Sequence, residues 1–294
     1  MKCNSVVMVK QVPDTSNVSG EVMRPDGTVN RAKLPTVFNP DDKVALELAL
    51  QLRDRFGGKV TAITMGPAKA GELLRECLYM GADEVCLITD RNFGGADTLA
   101  TSYTLSEAIL KLGSYDLIFA GRQAIDGDTA QVGPQTAEKL GIPQITYAEE
   151  IIDLKEDVIR VKRRIDGGYE ILESSIPLLI TVLKEAATPR PFKAKRLMAF
   201  KNARTRLELE KEASSPEELD QLIAERTARG LYIETWNRED LGVELERCGI
   251  QGSPTKVHKV ESVVLSGKGH EQFEPTSEDI GNLLDSLIGE HFFG

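Results

Sequence analysis

The segment 121–134, GRQAIDGDTAQVGP, has the residue types and spacing of a loop that holds an anion. Its three glycines, Gly121, Gly127 and Gly133, would let the backbone approach a ligand closely. Thr129 can cap the helix predicted to follow, and a helix N-terminus presents free N–H groups and a positive dipole end. The spacing therefore favours phosphate binding through the backbone.

Side chains in and just after this segment add further donors. Arg122 supplies a positive charge, whereas Asp126 and Asp128 suit ribose hydroxyls rather than phosphate. The neutral donors are Gln123, Thr129, Gln131 and Thr136. The alternative is a polar surface loop with ordinary turn glycines, and the spacing alone leaves both interpretations open.

Three further segments fall where predicted strands end, at 10–15, 65–67 and 93–101. In an open parallel sheet, ligands bind outside the carboxyl ends of the strands. We therefore expect all four segments to meet at one edge of the sheet and to form a nucleotide-binding crevice.

The sequence offers no acid–base pair or nucleophile for catalysis. His258, His270 and His291 all lie in the tail, and the motifs GxSxG, HExxH, GxGxxG and Walker A are absent. The four cysteines have no CxxC spacing, which is typical of reduced thiols in a cytosol rather than of a zinc or iron–sulfur site. We predict no catalytic side chain and no metal ligand.

The elements that must position these segments alternate between strands and helices up to about residue 150. Strands are predicted over 6–12, 60–65, 84–88 and 117–120, each followed by a helix, the last of which covers about 129–140. The first helix opens at Asn39, a capping residue, and Pro40, which suits the first helical position. This alternation implies a parallel sheet covered on both faces, so the predicted class is α/β, doubly wound and mostly parallel.

From about residue 150 the pattern changes. Antiparallel strands are predicted over 151–155, 158–164 and 169–174, with Gly167-Gly168 as a hairpin turn. After Pro189 a basic segment begins, and the tail beyond it is acidic, with helices predicted after Ser215 and over 280–288. We therefore divide the chain into an α/β nucleotide-binding body, 1–189, and a region 190–294 that ends in an extended arm.

Composition excludes several classes of protein. The chain has 294 residues, of which 41% are hydrophobic and 28% charged, values typical of a globular protein. Its apolar runs are far shorter than the ~20 residues of a membrane helix, and the first is too short for a signal peptide, so we predict a cytoplasmic protein without a membrane span. A net charge of -10 argues against nucleic acid as a partner.

Five motifs occur in an order that resembles one known family. They are VKQVPDT at 9–15, FNPDD at 38–42 with ALE at 45–47, MGP at 65–67, MGAD at 80–83 and the loop at 121–134. Together they resemble the beta subunits of electron transfer flavoproteins, over about residues 4–200 and again around 252–257. The resemblance implies an adenine-nucleotide-binding α/β fold and an alpha-subunit partner that carries the electron-transferring FAD.

Beta subunits of that family hold either AMP or, in the electron-bifurcating members, a second FAD. Members that hold AMP tend to carry a bulky aromatic residue where this chain has Thr15, which leaves volume for a flavin ring. The stretch 94–101 resembles the bifurcating type, in which Thr98 and Thr101 would face the isoalloxazine ring. The alternative for both threonines is a helix-surface hydroxyl bonded back to a carbonyl. The combined segments favour FAD over AMP.

The resemblance also implies a set of cofactor-binding residues in the strand-end segments and at the start of the first helix. They are Val9, Lys10, Val12, Asp14, Asn39, Asp42, Met65, Gly66, Thr98, Thr101, Gly121, Arg122, Gln123, Ala124, Asp126, Gly127, Asp128, Thr129, Ala130, Gln131, Val132, Gly133 and Thr136. The flavin would perform the redox chemistry, while these groups bind, orient and tune it.

The function implied by the resemblance is electron bifurcation. The FAD of this chain would accept a hydride from NADH, pass one electron to ferredoxin or flavodoxin, and pass the other through the alpha-subunit FAD to an acyl-CoA or hydroxy-acid dehydrogenase. Two alternatives stay open: a non-bifurcating electron carrier that holds AMP, and a nucleotide-binding module without redox activity.

The segment 189–198 matches the position of the family's recognition loop, which docks on a partner dehydrogenase. Ala194 stands where that loop usually presents a leucine, so we expect Phe192 or Leu197 to anchor instead. An RNA-binding patch is the alternative, but Phe192 and Phe200 are the only aromatic residues near the charges. For the insertion 208–248, a solvated helical segment and a contact with a specific partner both stay open.

Overall fold

The computed structural model describes residues 2–14, 34–256, 272–290 and 292. The chain divides into two compact units, Met1–His258 and Lys259–Gly294. Thr15 and the three histidines of the tail lie outside the described residues, so the sequence predictions for them stay predictions.

Ten strands of the first unit form one large sheet. In chain order, the strands of this sheet and of a separate pair, β2 and β3, are β1 (Ser5–Met8), β2 (Gln11–Pro13), β3 (Thr36–Phe38), β4 (Val60–Met65), β5 (Glu84–Ile88), β6 (Leu117–Gly121), β7 (Gln144–Lys155), β8 (Val158–Ile165), β9 (Gly168–Ser175), β10 (Leu178–Val182), β11 (Arg204–Thr205) and β12 (Tyr232–Trp236). The order across the sheet is β11-β12-β5-β4-β1-β6-β10-β7-β8-β9, and β2 and β3 form a separate antiparallel pair.

Helices connect these strands. They are α1 (Pro40–Phe56), α2 (Gly71–Met80), α3 (Thr98–Leu112), α4 (Val132–Leu140), α5 (Ala194–Phe200), α6 (Arg206–Glu212), α7 (Pro216–Ala228), α8 (Arg238–Leu241) and α9 (Ser277–Gly289). The first eight belong to the first unit and α9 to the second. Within the part of the chain that the structure describes, none has the length and hydropathy needed to cross a membrane.

The central strands are buried on both faces, which explains their nearly continuous apolar sequences. Successive side chains of a strand face opposite layers: Val7 packs with α1 and α2, whereas Val6 packs with α3 and α4. Leu46 and Leu74 fill the first layer, and Ile109 fills the second. The sheet is therefore doubly wound, and the predicted fold class is confirmed.

The chain order reverses at β1. This strand pairs in parallel with β4 on one side and with β6 on the other. From β1 the chain runs outward through β4 to β5, and it returns to the opposite side with β6 and then β10. A reversal of this kind opens a crevice beyond the carboxyl ends of the two flanking strands. The residues after Met8 and Gly121 line that crevice.

The predicted antiparallel region is confirmed in β7, β8 and β9. β7 is longer than the predicted strand over 151–155, because its first residues pair in parallel with β10 and its later residues pair antiparallel with β8. Gly167, with φ of +79°, lies in the turn between β8 and β9. A turn residue with positive φ is the geometry that the glycine pair predicted.

The strand predicted over 6–12 is two separate strands. β1 ends at Met8, and β2 turns away to pair with β3. The break lies at Lys10, whose N–H donates to the side chain of Asp42 instead of to a neighbouring strand. This contact bends the chain into the crevice.

The segment after residue 190 is integrated into the first unit rather than separated from it. β12 pairs in parallel with β5 and β11 pairs with β12, so this segment extends the sheet by two strands. Leu209 and Ile233 are buried there. The compact unit runs to His258, whereas the sequence placed a boundary after residue 189. The exposed helices α6 and α7 dominate the composition of this segment, while few of its apolar residues reach the sheet.

The second unit contains α9. The helix begins at Ser277, and the hydroxyl of Thr276 caps it by accepting from the N–H of Asp279 at 3.2 Å. The predicted helix over 280–288 is confirmed, with one additional turn at its start. Ile280, Leu284 and Ile288 recur at helical spacing and are exposed.

Candidate functional site at the carboxyl edge of the sheet

One carboxylate joins the two strand ends at the crevice. Asp42 is buried in the first turn of α1. Its Oδ2 accepts from the N–H of Lys10 at 2.8 Å, and its Oδ1 accepts from the N–H of Gly121 at 2.9 Å. A Cβ on Gly121 would lie 2.5 Å from Oδ1 of Asp42. The glycine therefore lets α1 approach the end of β6.

Burial governs the ionisation of this carboxylate. Desolvation raises the pKa of Asp42 to about 7, although hydrogen bonds from Asn39, Gly121 and Lys10 oppose the rise. Desolvation also raises the pKa of Asp41, while the Arg122 guanidinium opposes it. Because the main chain occupies both oxygens of Asp42, this residue supports the crevice rather than facing it.

Asn39 does not cap α1 as the sequence predicted. The helix has no side-chain cap. Instead, the buried Asn39 amide donates to the carbonyl of Gln123 at 2.9 Å, and its oxygen accepts from the N–H of Ile125 at 3.2 Å. The prediction is wrong because the side chain turns towards the loop after β6. Asn39 thereby fixes the first half of that loop to α1.

The loop after β6 is held at its sides and strained at its tip. The ammonium of Lys10 contacts both oxygens of Asp126, at 2.7 and 2.8 Å, and the amide of Gln123 donates to Asp128. Asp128 and Ala130 both have φ of +53°, a region that residues other than glycine seldom adopt. Backbone strain of this kind is concentrated at functional sites.

The helix after the loop begins without a side-chain cap. α4 starts at Val132 instead of about residue 129, and the side chain of Gln131, in the N-cap position, makes no hydrogen bond to the helix N–H groups. The predicted cap at Thr129 is therefore wrong, although the predicted helix is present. An N-terminus without a cap retains N–H groups that can bind an anion.

Two residues expected to contact the cofactor face the protein interior instead. Gly133 is buried, and a Cβ there would lie 2.6 Å from Cγ2 of Thr181 on β10. Thr136 is also buried, and its hydroxyl donates to the carbonyl of Val132 at 2.7 Å. By contrast, a Cβ on Gly127 would meet nothing within 4 Å. Gly133 therefore allows α4 to pack closely on β10.

Arg122 carries a donor without a protein partner. Its Nε is buried and makes no hydrogen bond within the described residues. The carboxylate of Asp41 lies 3.9 Å from this Nε, and the guanidinium carbon lies 6.0 Å from the ring centroid of Tyr147. A planar guanidinium with an unused donor suits bidentate binding of a phosphate.

The first turn of α3 lies beside the start of α4. The hydroxyl of Thr98 donates to Oε1 of Gln131 at 2.9 Å. Asp97 caps α3 by accepting from the N–H of Ala100 at 3.0 Å, and Thr101 is half-buried in the same turn. Two of the segments predicted to meet are thus in contact, and the Thr98 hydroxyl bonds to another element rather than back to its own helix.

The other candidate residues divide by exposure. Val9 is buried in the apolar interior, and Val12 is buried on β2, which pairs with β3. Neither offers a polar side chain. Asp14, Met65, Gly66 and Ala124 are half-buried, and Thr129 and Gln131 are exposed. The crevice therefore offers mainly backbone and loop groups to a ligand.

Sequence analysis missed two residues that complete this edge. Asp97 directly precedes α3, and an Asp just before a helical pattern is a capping signal that could have identified it. Tyr147 has φ of +58° and lies on β7, distant in sequence from the loop that it faces. Nothing in its local sequence indicates that role.

The basic segment 190–206 is partly anchored. Arg190 donates through Nε to Glu47 and through Nη1 to Asp54, each at 2.8 Å. Arg196 donates from Nε to the carbonyl of Leu78 at 2.6 Å, near the end of α2. These two arginines therefore hold the segment to the body and are not free docking charges.

The remaining groups of that segment face outward. Lys193 and Lys195 are exposed and form no ion pair within the described residues, and Met198 is 62% exposed beside them. Phe192 packs edge-on against Tyr79, with ring centroids 5.6 Å apart. The outward surface of α5 thus combines positive charge with apolar area.

Three known relatives match almost the whole chain. A subunit named electron transfer flavoprotein subunit beta, from Clostridium acetobutylicum, is 42% identical over 98% of this chain and 99% of the relative. The acryloyl-CoA reductase electron transfer subunit gamma of Anaerotignum propionicum is 43% identical over 97% of this chain and 98% of its own length. Subunit CarD of the caffeyl-CoA reductase-Etf complex of Acetobacterium woodii is 40% identical with the same coverage.

A family model supports the same conclusion. The model described as electron transfer flavoprotein domain matches residues 26–211, which include the start of α1 and the loop after β6. The chain therefore belongs to the electron transfer flavoprotein family and groups with its beta subunits. The resemblance inferred from five motifs is confirmed.

Proposed function

We propose that this chain binds FAD in the crevice and is the beta subunit of an electron-bifurcating electron transfer flavoprotein. When bound, FAD supplies the redox chemistry: hydride acceptance from NADH, then transfer of one electron to ferredoxin or flavodoxin and of the other, through the alpha-subunit FAD, to a dehydrogenase. Two relatives named for acryloyl-CoA and caffeyl-CoA reductases support an acyl-CoA rather than a hydroxy-acid dehydrogenase as the partner.

The polar groups of the crevice fit a dinucleotide. The N–H groups at the start of α4 and the unused Nε of Arg122 suit the diphosphate. Asp126 and Asp128 suit ribose hydroxyls, and their present partners, Lys10 and Gln123, hold them at the loop. These protein groups bind and orient, and none is assigned a proton-transfer role.

The observation that supports FAD rather than AMP as the ligand is the contact between the first turn of α3 and the start of α4. The 2.9 Å hydrogen bond from Thr98 to Gln131 joins the first turn of α3 to the residue before α4, next to the loop after β6 that we propose binds the diphosphate. AMP would use only the loop and the end of β1. The hydroxyls of Thr98 and Thr101 give a longer ligand polar groups for its flavin end.

The test is the nucleotide content of the purified heterodimer. Visible absorption gives flavins per dimer, and chromatography after heat release identifies AMP. The proposal expects two flavins and no AMP. One flavin with one AMP would contradict it and favour the non-bifurcating carrier, and absence of flavin would favour a nucleotide-binding module.

The substitution Thr15→Tyr tests the volume argument directly. A ring at this position should expel the flavin of this subunit while AMP can still bind, because only the flavin end needs the space. Thr15→Ser is the matched control and should retain two flavins. Retention of both flavins in Thr15→Tyr would contradict the argument.

We further propose that α5 docks the dehydrogenase, assisted by Lys193 and Lys195. Reversing both lysines to Glu should slow reduction of the dehydrogenase at low salt, and the difference should shrink at ~0.15 M salt, where screening acts over about 8 Å. Lys211→Glu, on the exposed part of α6, is the control. An unchanged rate at low salt would exclude this surface, whereas dissociation of the heterodimer would indicate an alpha-subunit contact.

A further inference from the structure

The carboxylate of Asp97 bonds in two directions. Its Oδ1 accepts from the N–H of Ala100 at 3.0 Å and caps α3. Its Oδ2 accepts from the N–H of Thr255 at 3.1 Å and from the Thr255 hydroxyl at 2.7 Å. A helix cap needs only one oxygen, so the second oxygen has a separate structural task.

A serine completes the connection from the other side. The N–H of Asp97 donates to the hydroxyl of Ser253 at 2.8 Å, and the buried Ser253 hydroxyl donates to the carbonyl of Gly249 at 2.6 Å. Next to it, the N–H of Ile250 donates to the carbonyl of Gly94 at 3.1 Å. The segment 249–255 is thus attached along the loop that leads into α3. We call Asp97, Ser253 and Thr255 the Asp97 latch.

The latch depends on close backbone contact. Gly249 has φ of +55°, and a Cβ there would overlap the carbonyl oxygen of Asn92. The attached loop contains Gly94 and Gly95, both exposed, which give it little conformational preference of its own. Contacts from the distant segment therefore set the position of this loop.

The latch lies directly next to the proposed flavin-facing turn. Thr98 follows Asp97, and its hydroxyl donates to the side chain of Gln131, which directly precedes α4. The N–H of Thr101 donates to the carbonyl of Asp97 at 2.9 Å. Any shift of Asp97 would therefore move both threonines relative to the start of α4.

We propose that Asp97, acting with Ser253 and Thr255, is a positioning residue that holds Thr98 and Thr101 where the flavin end of FAD is retained. The inference rests on the proposed FAD site and deepens it. It also gives the segment 249–255, which includes the GSPT motif at 252–255, a role in cofactor retention although no residue of that segment was a predicted contact.

The ionisation of Asp97 is consistent with this role. Burial raises the pKa of Asp97, but the hydrogen bonds from Ala100 and Thr255 outweigh it, and the net effect lowers the pKa. The carboxylate is therefore charged at neutral pH and can accept all three bonds. An amide at this position has only one oxygen, so it could accept either the bond that caps α3 or the bonds from Thr255, but not both sets.

Three variants of the heterodimer separate these tasks. Asp97→Asn keeps a good capping side chain but loses an acceptor for Thr255, and we expect release of the beta-subunit FAD to become about tenfold faster. Thr255→Val removes only the hydroxyl bond, and we expect about a threefold increase. Ser215→Ala, which removes the cap of the exposed helix α7, is the matched control and should leave FAD release unchanged.

Flavin fluorescence gives the release rate, and the alpha-subunit FAD is the internal reference. Hydrogen exchange of the variants gives a second readout: in Asp97→Asn the Thr255 amide should lose protection while the Ala100 amide keeps it. Two results would overturn this inference and leave the proposed function intact. One is a wild-type rate of FAD release with wild-type amide protection in Asp97→Asn. The other is release from Ser215→Ala as fast as from Asp97→Asn. A wild-type heterodimer with one flavin would overturn the proposed function, and this inference with it.

Discussion

Two helices begin at the same edge of the sheet, and their first turns are satisfied in different ways. At the start of α1, the chain supplies its own partners: Asp42 accepts from both strand ends, and Asn39 binds the neighbouring loop. At the start of α4, no side chain caps the helix, and Arg122 nearby has an unused donor. The first turn is satisfied within the protein, and the second is where we propose that the cofactor binds.

The comparison shows that residue type alone does not distinguish support from binding. Both starts contain polar residues, Asn39, Asp41 and Asp42 at α1 and Asp128, Thr129 and Gln131 at α4, and cofactor contacts were predicted at both. Hydrogen bonding distinguishes them: the buried polar side chains at the start of α1 have partners within the protein, whereas the start of α4 has no side-chain cap and the Nε of Arg122 has no partner within the described residues. The predictions below test this difference through the free energy of unfolding.

The largest effect is expected for Asp42→Ala. It leaves the buried N–H of Gly121 and the half-buried N–H of Lys10 without an acceptor, and we expect a loss of about 3 kcal/mol. Urea unfolding measures it. Asp116→Ala is the control, since Asp116 accepts from one half-buried N–H, that of Asn4, and should cost about 1 kcal/mol. Equal losses would contradict the special role of Asp42.

The second effect separates the glycines of the α4 side. Gly133→Ala places a methyl group 2.6 Å from Thr181, and overpacking of this kind costs about 2 kcal/mol. Gly127→Ala has open space and should stay within ~0.5 kcal/mol. FAD content should fall in Gly133→Ala only in proportion to misfolded protein. Normal stability with lost FAD would instead indicate that Gly133 contacts the phosphate.

The third effect is a dependence of stability on pH. The pKa of Asp42 is about 7 in the folded chain and near 3.9 in an unfolded one, so the native state holds the proton more tightly. This contribution to stability is fully present below about pH 4 and is lost as pH rises through 7. Relative to Asp42→Asn, which cannot titrate, the wild type should lose up to about 1.4 kcal/mol per pH unit. Parallel urea curves for both proteins would refute it.

The smallest effect on stability is expected for Arg122→Met. Its nearest carboxylate is 3.9 Å from a half-exposed guanidinium, so we expect a change within ~0.5 kcal/mol. FAD retention should nevertheless fall about tenfold, because a charge-assisted bond to the diphosphate is lost. Arg164→Met, in the antiparallel strands, is the control for removal of a surface cation. Unchanged FAD retention would remove Arg122 from the binding surface.

The sequence allowed prediction of the fold wherever local signals agreed with tertiary structure. Continuous apolar strands, a proline at the start of α1 and glycines after helices gave the parallel sheet and its helices. The part of the sheet beyond β5, formed by β12 and β11, was missed, because a five-residue strand such as β12 within a polar segment has no distinctive periodicity. Its pairing with β5 depends on burial of residues such as Ile233, which only the folded sheet explains.

For the site, the sequence located the segments but not the orientation of their side chains. The segments around Thr98 and Gln131 meet because parallel strands end at the same edge of a sheet, and the alternation of elements predicted parallel strands. The inward direction of Thr136 and the turn of Asn39 towards the loop depend on local packing. Contacts from distant segments, such as Thr255 on Asp97, could not be derived from local residue patterns.

The pairing of β12 with β5 also has a consequence during synthesis on the ribosome. β5 is complete at Ile88, but β12 ends at Trp236, about 150 residues later, so at roughly 5–20 residues per second the nascent chain waits on the order of ten seconds for this partner. During that time one edge of β5 presents unpaired backbone beside apolar residues such as Val85 and Leu87. The carboxyl-terminal third of the first unit, which contains β12, therefore covers this edge of β5 only late in synthesis, and pairing then removes it as a site of edge-to-edge aggregation.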